Sequence, residues 1–334
     1  MNSRNHQKMS WSNQPPNPSP QRLEIFINPA SGKGKSLQIF EQIKPILAHH
    51  NTAFNVTCTR HAGDLQNRVK NMDLSSIDGL VVVGGDGSIH EVINGLMNRQ
   101  DWEKAIKTPL GIIPAGTSNG LCKTLLQEAG ETYNHINATI AITRGNIQPL
   151  DILGVQQSEG ESDRFYYSIL SIAWGLIAAV DIKSDNLRFL GSLKTDIYAL
   201  WEIWQLRHYR GKLSLITADC ESPLIIEDDY ILLWAMNVPW AAYNLNPAPH
   251  SHPTDGNIDV LLVRRGISKF NLIKAFLLCN KGQHLAIPGI EYYKLRGFHL
   301  DPQDGEFLAI DGEPISSAPI KVEVLPNLAR VFHP

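Results

Sequence analysis

The stretch Leu80-Val81-Val82-Val83-Gly84-Gly85-Asp86-Gly87-Ser88-Ile89-His90-Glu91-Val92-Ile93-Asn94-Gly95 decides how the chain folds. Four apolar residues in a row read as a buried strand. Ile89, Val92, Ile93 and Leu96 then recur at helical spacing. Between them stand three glycines and one carboxylate. Glycine frees the backbone for positive φ and lets a ligand approach where a Cβ would block it. The amide groups of such a turn, and of the helix start behind it, favour an anion such as phosphate. Asp86 would repel phosphate unless it holds a metal ion or accepts a proton. Amides that favour anions predict that it is ionised at neutral pH. A plain βα turn with Asp86 as a helix cap would not need three glycines around it.

Two further strands end in the same way. Leu23–Ile27 runs into Asn28-Pro29-Ala30-Ser31-Gly32-Lys33-Gly34-Lys35-Ser36, then a helix carrying Leu37, Phe40, Ile43, Ile46 and Leu47. Leu110–Ile113 runs into Pro114-Ala115-Gly116-Thr117-Ser118-Asn119-Gly120 and another helix. In a parallel sheet these loops gather at the carboxyl edge, where ligands bind. Gly34-Lys35-Ser36 imitates a P-loop, but Pro29 stands where that motif needs glycine, and no G-x-G-x-x-G follows any strand. A P-loop enzyme is rejected, and a Rossmann dinucleotide site is disfavoured.

Beyond Ile147–Ile152 the alternation of helix and strand gives way to short β-like runs: 164–170, 212–216, 230–236, 258–263, 295–300, 307–310 and 321–325. Turn signals such as Asp304-Gly305 and Asp311-Gly312 separate them, which predicts an antiparallel sandwich. Helices are expected over about 192–208 and 268–278. Phe165–Val180 carries no charge but is shorter than the roughly 20 residues of a spanning helix. A strand followed by the start of a helix fits it better. The expected class is α/β: a nucleotide-binding α/β domain over 22–147 and a β-sandwich over 148–332. Residues 1–21, rich in Pro, Asn, Ser and Gln, are expected to form a disordered tail.

Composition narrows the function. The chain has 334 residues and a net charge of −3, which speaks against a nucleic-acid binder held by phosphate contacts. Four scattered cysteines without metal-ligand spacing, and no apolar leader, suggest a cytoplasmic protein with reduced thiols.

Asn28-Pro29-x-x-Gly32-Lys33-Gly34-Lys35, Gly84-Gly85-Asp86-Gly87 with His90-Glu91-x-x-Asn94-Gly95, and Pro114-Ala115-Gly116-Thr117-x-Asn119 together resemble the diacylglycerol kinase catalytic domain. Their order is most similar to its sphingosine kinase branch. Ser171-x-Ala173-Trp174-Gly175-x-Ile177-Ala178-x-Val180-Asp181, Lys281-Gly282-x-His284 and Ala309-Ile310-Asp311-Gly312-Glu313 extend the likeness through the second half. Trp234-Ala235-x-Asn237-Val238-Pro239-Trp240 resembles plant-type sphingosine kinases and ceramide kinases.

The resemblance implies an ATP- and Mg²⁺-dependent lipid kinase with its active site in the cleft between domains. It implies that Asp86 is the base; Glu313 is the next catalytic candidate. Asn28, Thr59, Gly84, Gly85, Gly87, Glu91, Gly116 and Thr117 would line the nucleotide, Arg188 and Lys194 would reach its phosphates, and Asp185 would meet the adenine side. Asp311 and Glu313 would lie near Mg²⁺ and the phosphates. Ser171 and Asp181 would face the lipid headgroup. The implied acceptor is the primary hydroxyl of a sphingoid base; the alternatives are a diacylglycerol or ceramide kinase, or a lipid-binding protein without catalysis. Ala179 stands where the family carries a carboxylate, and Lys194 where it carries arginine, a point charge in place of a bidentate fork. A lipid acceptor implies peripheral, transient contact with a membrane. NAD kinase and phosphofructokinase also use a GGDG turn, but the likeness over Ser171–Asp181 speaks against them.

Overall fold

A computed structural model of the chain describes residues 20, 22–116, 118–160, 162–184, 201–217, 222–304 and 307–334. The expectations for Thr117, Asp185, Arg188, Lys194 and residues 1–19 and 21 of the tail lie outside the described residues. The strand of the opening stretch, β3 (Gly79–Gly84), is buried throughout and sits between β1 (Arg22–Ile27) and β4 (Leu110–Pro114), parallel to both. Its side chains divide by the two-residue period of a strand: Leu80 and Val82 join one apolar cluster, Val81 and Val83 the other. Helices cover both faces, as a parallel sheet requires. They are α1 (Ser36–His49), α2 (Asp64–Asn71), α3 (Asp86–Met97), α4 (Trp102–Ala105), α5 (Gly120–Glu128) and α6 (His135–Arg144). The edge strand β2 (Ala53–Cys58) pairs with β1.

The second half is antiparallel. β5 (Ile147–Glu159) pairs with β6 (Ser162–Ser168), and β7 (Ser171–Gly175) with β9 (Leu224–Met236). β8 (Tyr209–Ile216) pairs with β9 and with β12 (Gly297–Pro302); β10 (Ile258–Arg264) pairs with β9 and with β11 (Ile290–Leu295). A hairpin of β13 (Leu308–Ile310) and β14 (Glu313–Ile315) lies against β7. The core holds Trp174, Tyr230 and Phe298. The uncharged run over Phe165–Val180 is the end of β6, then β7, then the start of α7 (Leu176–Ser184), in keeping with the short-strand reading. The helix expected at 268–278 is α8 (Lys269–Leu278), capped by Ser268, whose side chain accepts from the Asn271 amide. The run expected as one strand at 295–300 is two, meeting at Arg296 and pairing with different partners. Gly297 allows the change, because a Cβ there would collide with the Val322 carbonyl.

The last strand, β15 (Ile320–Phe332), joins the halves. It pairs with β5 along nearly its whole length and with β4 at Val331↔Leu110, so one sheet runs through the molecule. Among the described residues no helix is long and apolar enough to cross a membrane.

Candidate active site

The three loops expected to converge do so, and contact is what demands their glycines. A Cβ on Gly116 would lie 2.6 Å from the Gly85 Cα, one on Gly85 3.1 Å from the Ser118 carbonyl, and one on Gly32 would collide with the Ala115 carbonyl. Gly84, Gly85 and Gly87 all keep negative or extended φ, so the GGDG turn uses glycine for close approach; among the described residues of these loops only Gly32 and Gly34 need positive φ. The Gly84 carbonyl accepts from Ala115 and Gly116, and the Asp86 amide donates to the Ser118 carbonyl at 3.3 Å. Asn28 holds the first loop. Its side-chain oxygen accepts from the Ala30 amide at 3.0 Å, and its amide reaches Ser88 Oγ at 3.5 Å. Thr59 follows β2, its amide donating to the Ile27 carbonyl at 2.9 Å.

Asp86 is the first residue of α3 and only 3% exposed. Its carboxylate accepts from the Gly120 amide at 2.7 Å and more distantly from Leu121 at 3.4 Å, so it caps the neighbouring helix α5 and not its own. Burial drives its pKa up to about 7; the two amides pull against the rise and the charge of Asp311 adds to it. The expectation of a fully ionised Asp86 at neutral pH is therefore corrected. Desolvation outweighs the amides and lifts the group out of the ordinary carboxylate range.

Asp311 shows the opposite balance. Asp311 and Gly312 both have positive φ and form the two-residue turn between β13 and β14, where Asp-Gly is favoured. The carboxylate points inward and accepts from Ser168 Oγ at 2.7 Å and from the amides of Ile169, Leu170 and Ser171 at 2.9–3.1 Å. His90 Nδ1 lies 2.8 Å from its other side. Burial alone would raise its pKa, but His90 and these donors hold it below the usual carboxylate range. His90 is raised in turn: burial opposes its charge, and the bond to Asp311 overcomes that.

One face of α3 thus carries a sequence of roles. Asp86 and His90 are one turn apart, and Asn94 follows another turn on. Asn94 pairs reciprocally with the backbone of Tyr167 on β6, at 2.8 and 3.1 Å. Glu91, expected at the nucleotide, accepts from the Leu65 and Gln66 amides and caps α2. Glu313 reaches over from β14; a Cβ on Gly87 would lie 3.5 Å from its Oε1, so it stands at the amide end of α3. Ser171 opens β7 beside Asp311, and Asp181 sits on α7, which packs against β7, β9, β13 and β14. Ala179 is fully buried in that helix, where a carboxylate would enter the core. From the second half, the Trp240 carbonyl lies against Gly120, and Lys123 stands 4.8 Å over the Trp240 ring.

Sequence reasoning brought Asp86, Gly85, Gly87, Gly116, Asp311 and Glu313 to one place. It assigned no role to His90, Asn94 or Ser168. The four-residue spacing of Asp86, His90 and Asn94 was the available signal for the first two. Among the described residues no group of three or more His, Cys, Asp or Glu side chains is disposed to hold a metal.

Comparison with known proteins fits this arrangement. The diacylglycerol kinase catalytic domain model matches residues 22–155, and that of the YegS C-terminal NAD kinase beta sandwich-like domain matches residues 170–333. Sphingosine kinase 1 of Arabidopsis thaliana is 33% identical over 318 residues, 85% of this chain; the chain spans 64% of that relative's own length. Human sphingosine kinase 1 is 31% identical over 351 residues, covering 93% of this chain and 90% of the human one. The crystal structure of a putative diacylglycerol kinase from Bacillus anthracis superimposes with a TM-score of 0.70 at 22% identity over 94% of this chain and 98% of that one, a likeness of fold. The chain belongs to the diacylglycerol kinase catalytic-domain family, in its sphingosine kinase-like branch.

Proposed function

We propose that the protein is an ATP-dependent lipid kinase that phosphorylates the primary hydroxyl of a sphingoid long-chain base. The observation that carries this reading is the buried Asp86, with its pKa near 7, held between loops so close that only glycine fits. A general base works best when its pKa lies near the operating pH. Phosphoryl transfer otherwise needs positioning and charge compensation. The hydroxyl gives its proton to Asp86 while its oxygen bonds to the γ-phosphorus and the bond to the ADP oxygen breaks.

The amide end of α3 and the loops at Asn28, Gly85 and Gly116 suit the nucleotide phosphates. Arg188 and Lys194 remain assigned to those phosphates by family likeness, with Thr59, Thr117 and Asp185 around the nucleotide. Mg²⁺ is bound through one or two carboxylates together with phosphates and water. Glu313, exposed at the α3 end, suits that role. The oxygens of Asp311 already accept five hydrogen bonds, so Asp311 is read as the residue that positions the hairpin and not as a metal ligand. Asp181 is the anionic partner for a substrate ammonium. A bilayer-resident acceptor also means that the protein meets a membrane surface transiently.

Labelled ATP and a panel of sphingosine, ceramide, diacylglycerol and monoacylglycerol, read by thin-layer chromatography, tests the proposal. Sphingosine is expected to be the best acceptor, and a product only from the neutral lipids would reject it. Asp181→Asn should raise KM for sphingoid bases and barely affect a neutral alcohol; equal loss for both would make Asp181 structural.

A further inference from the structure

Helix α8 turns part of its apolar surface outward. Leu272 is buried in the second half's core and Ala275 is buried beside it, while Phe270 and Leu277 are 74% and 66% exposed. Two turns apart, they lie on one face, with the exposed Lys274 between them. The patch extends sideways. Lys269 Nζ stands 4.6 Å over the ring of Trp204, itself 69% exposed and at the end of the helical residues 201–205.

The segment that carries this patch contributes charge of one sign. From Val260 to Ile290 the chain has Arg264, Arg265, Lys269, Lys274 and Lys281, and neither Asp nor Glu. Arg264 is paired with Asp228 and Glu291, and Arg265 with Asp229. The three lysines form no ion pair with a described residue. Large exposed apolar side chains on a helix, flanked by Lys269 and Lys274 and followed by Lys281 just past its end, are what an interfacial helix presents: rings and aliphatic chains enter the headgroup boundary while ammonium groups meet anionic lipid. Tryptophan is at home at that boundary.

We infer that the outward face of α8, with Trp204, is the surface by which the protein docks on membranes containing anionic lipid. This rests on the lipid-kinase reading for why a membrane is met at all. Cosedimentation of the full chain with phosphatidylcholine vesicles, with and without phosphatidylserine, tests it. Binding is expected only with phosphatidylserine present. Phe270→Ser/Leu277→Ser and, separately, Lys269→Glu/Lys274→Glu/Lys281→Glu should each weaken it by about tenfold or more. Both variants alter exposed side chains, and unchanged melting temperatures would show that the fold survives. Transfer to sphingosine embedded in those vesicles should fall in parallel, with transfer to sphingosine delivered on albumin unchanged. Wild-type vesicle binding by the serine variant overturns the inference. So does equal binding to neutral vesicles, or a wild-type dimer that the same substitutions dissociate in the ultracentrifuge, which would make the face a contact between copies. A protein that phosphorylates no lipid in either presentation would defeat the kinase reading, and vesicle binding would still decide for or against the α8 surface.

Discussion

Asp86 and Asp311 are both buried carboxylates at glycine turns, one opening α3 and the other bound to it through His90, yet their surroundings drive them apart. Asp311 sits among five donors from β6, the β6–β7 turn, β7 and α3, and is held ionised. Asp86 has two amides, one of them distant, and burial raises its pKa to about 7. Burial alone therefore does not determine a carboxylate's state; the donors and charges aimed at it decide. Two carboxylates separated in this way divide into different tasks. The saturated one holds the hairpin that brings Glu313 to α3. The under-satisfied one is free to exchange a proton.

The largest expected effect comes from emptying the saturated site. Asp311→Ala leaves His90, the Ser168 hydroxyl and three buried amides without their acceptor. Breaking a buried pair in this way costs about 3–5 kcal/mol, read as a fall in the denaturant midpoint. A loss below about 1 kcal/mol would mean that water replaces the carboxylate and that the contrast with Asp86 is overstated.

Asp86→Asn should reverse the pattern, with little stability lost and much activity. The rate of transfer should fall by roughly 10²-fold or more in kcat, with ATP affinity largely kept. An Asn variant with near wild-type kcat would remove Asp86 from the chemistry and leave Glu313 as the next candidate.

The pH dependence sharpens the same point. The Asp86 carboxyl has a folded pKa raised from 3.8 to about 7, so its stabilising contribution is present below about pH 4 and lost as pH rises through 7. The wild type should lose stability relative to Asp86→Asn across that window. The acidic limb of kcat/KM should bend near pH 7. The clasp runs by different signs. Asp311, lowered, loses its contribution as pH falls through its folded value; His90, raised, loses its own as pH rises through its value. An acidic limb centred near pH 4 would place Asp86 among ordinary carboxylates.

The smallest effect separates two glycines of one loop contact. Gly116→Ala should disturb the site more than Gly85→Ala, because its methyl meets the Gly85 Cα at 2.6 Å while the other meets the Ser118 carbonyl at 3.1 Å. Calorimetric ATP titration beside thermal melting would rank them. The reverse order would mean that nucleotide approach, and not loop contact, sets the need for glycine at 85.

Much of this was legible in the sequence, for reasons that differ by region. β3 and its parallel neighbours announced themselves because strands buried on both faces are continuously apolar. The Asp311-Gly312 hairpin was visible as turn chemistry, but the inward aim of its carboxylate was not, since its partners lie on β6, β7 and α3, far away in the chain. The β-like run expected here covers only 321–325, and Pro326-Asn327 follows it. Instead those residues form a bulge, with Asn327 at positive φ and its amide donating to buried Asp151 at 2.6 Å, and the strand resumes at Ala329. The α2 cap supplied by Glu91 was equally hidden, because its donors come from another helix.

That continuous β15 has a consequence for how the molecule is made. Phe332 fills the space beside Gly79, and Val331 pairs with Leu110 on the sheet that carries the GGDG turn. Lys107 binds the Leu328 carbonyl, a contact 221 residues apart in sequence. A ribosome finishes the first half long before it delivers these residues. Until then β4 has an open edge and the core beside β3 lacks its last aromatic ring. Contacts of such long range close slowly, so the catalytic half completes its core only after the second half has been synthesised.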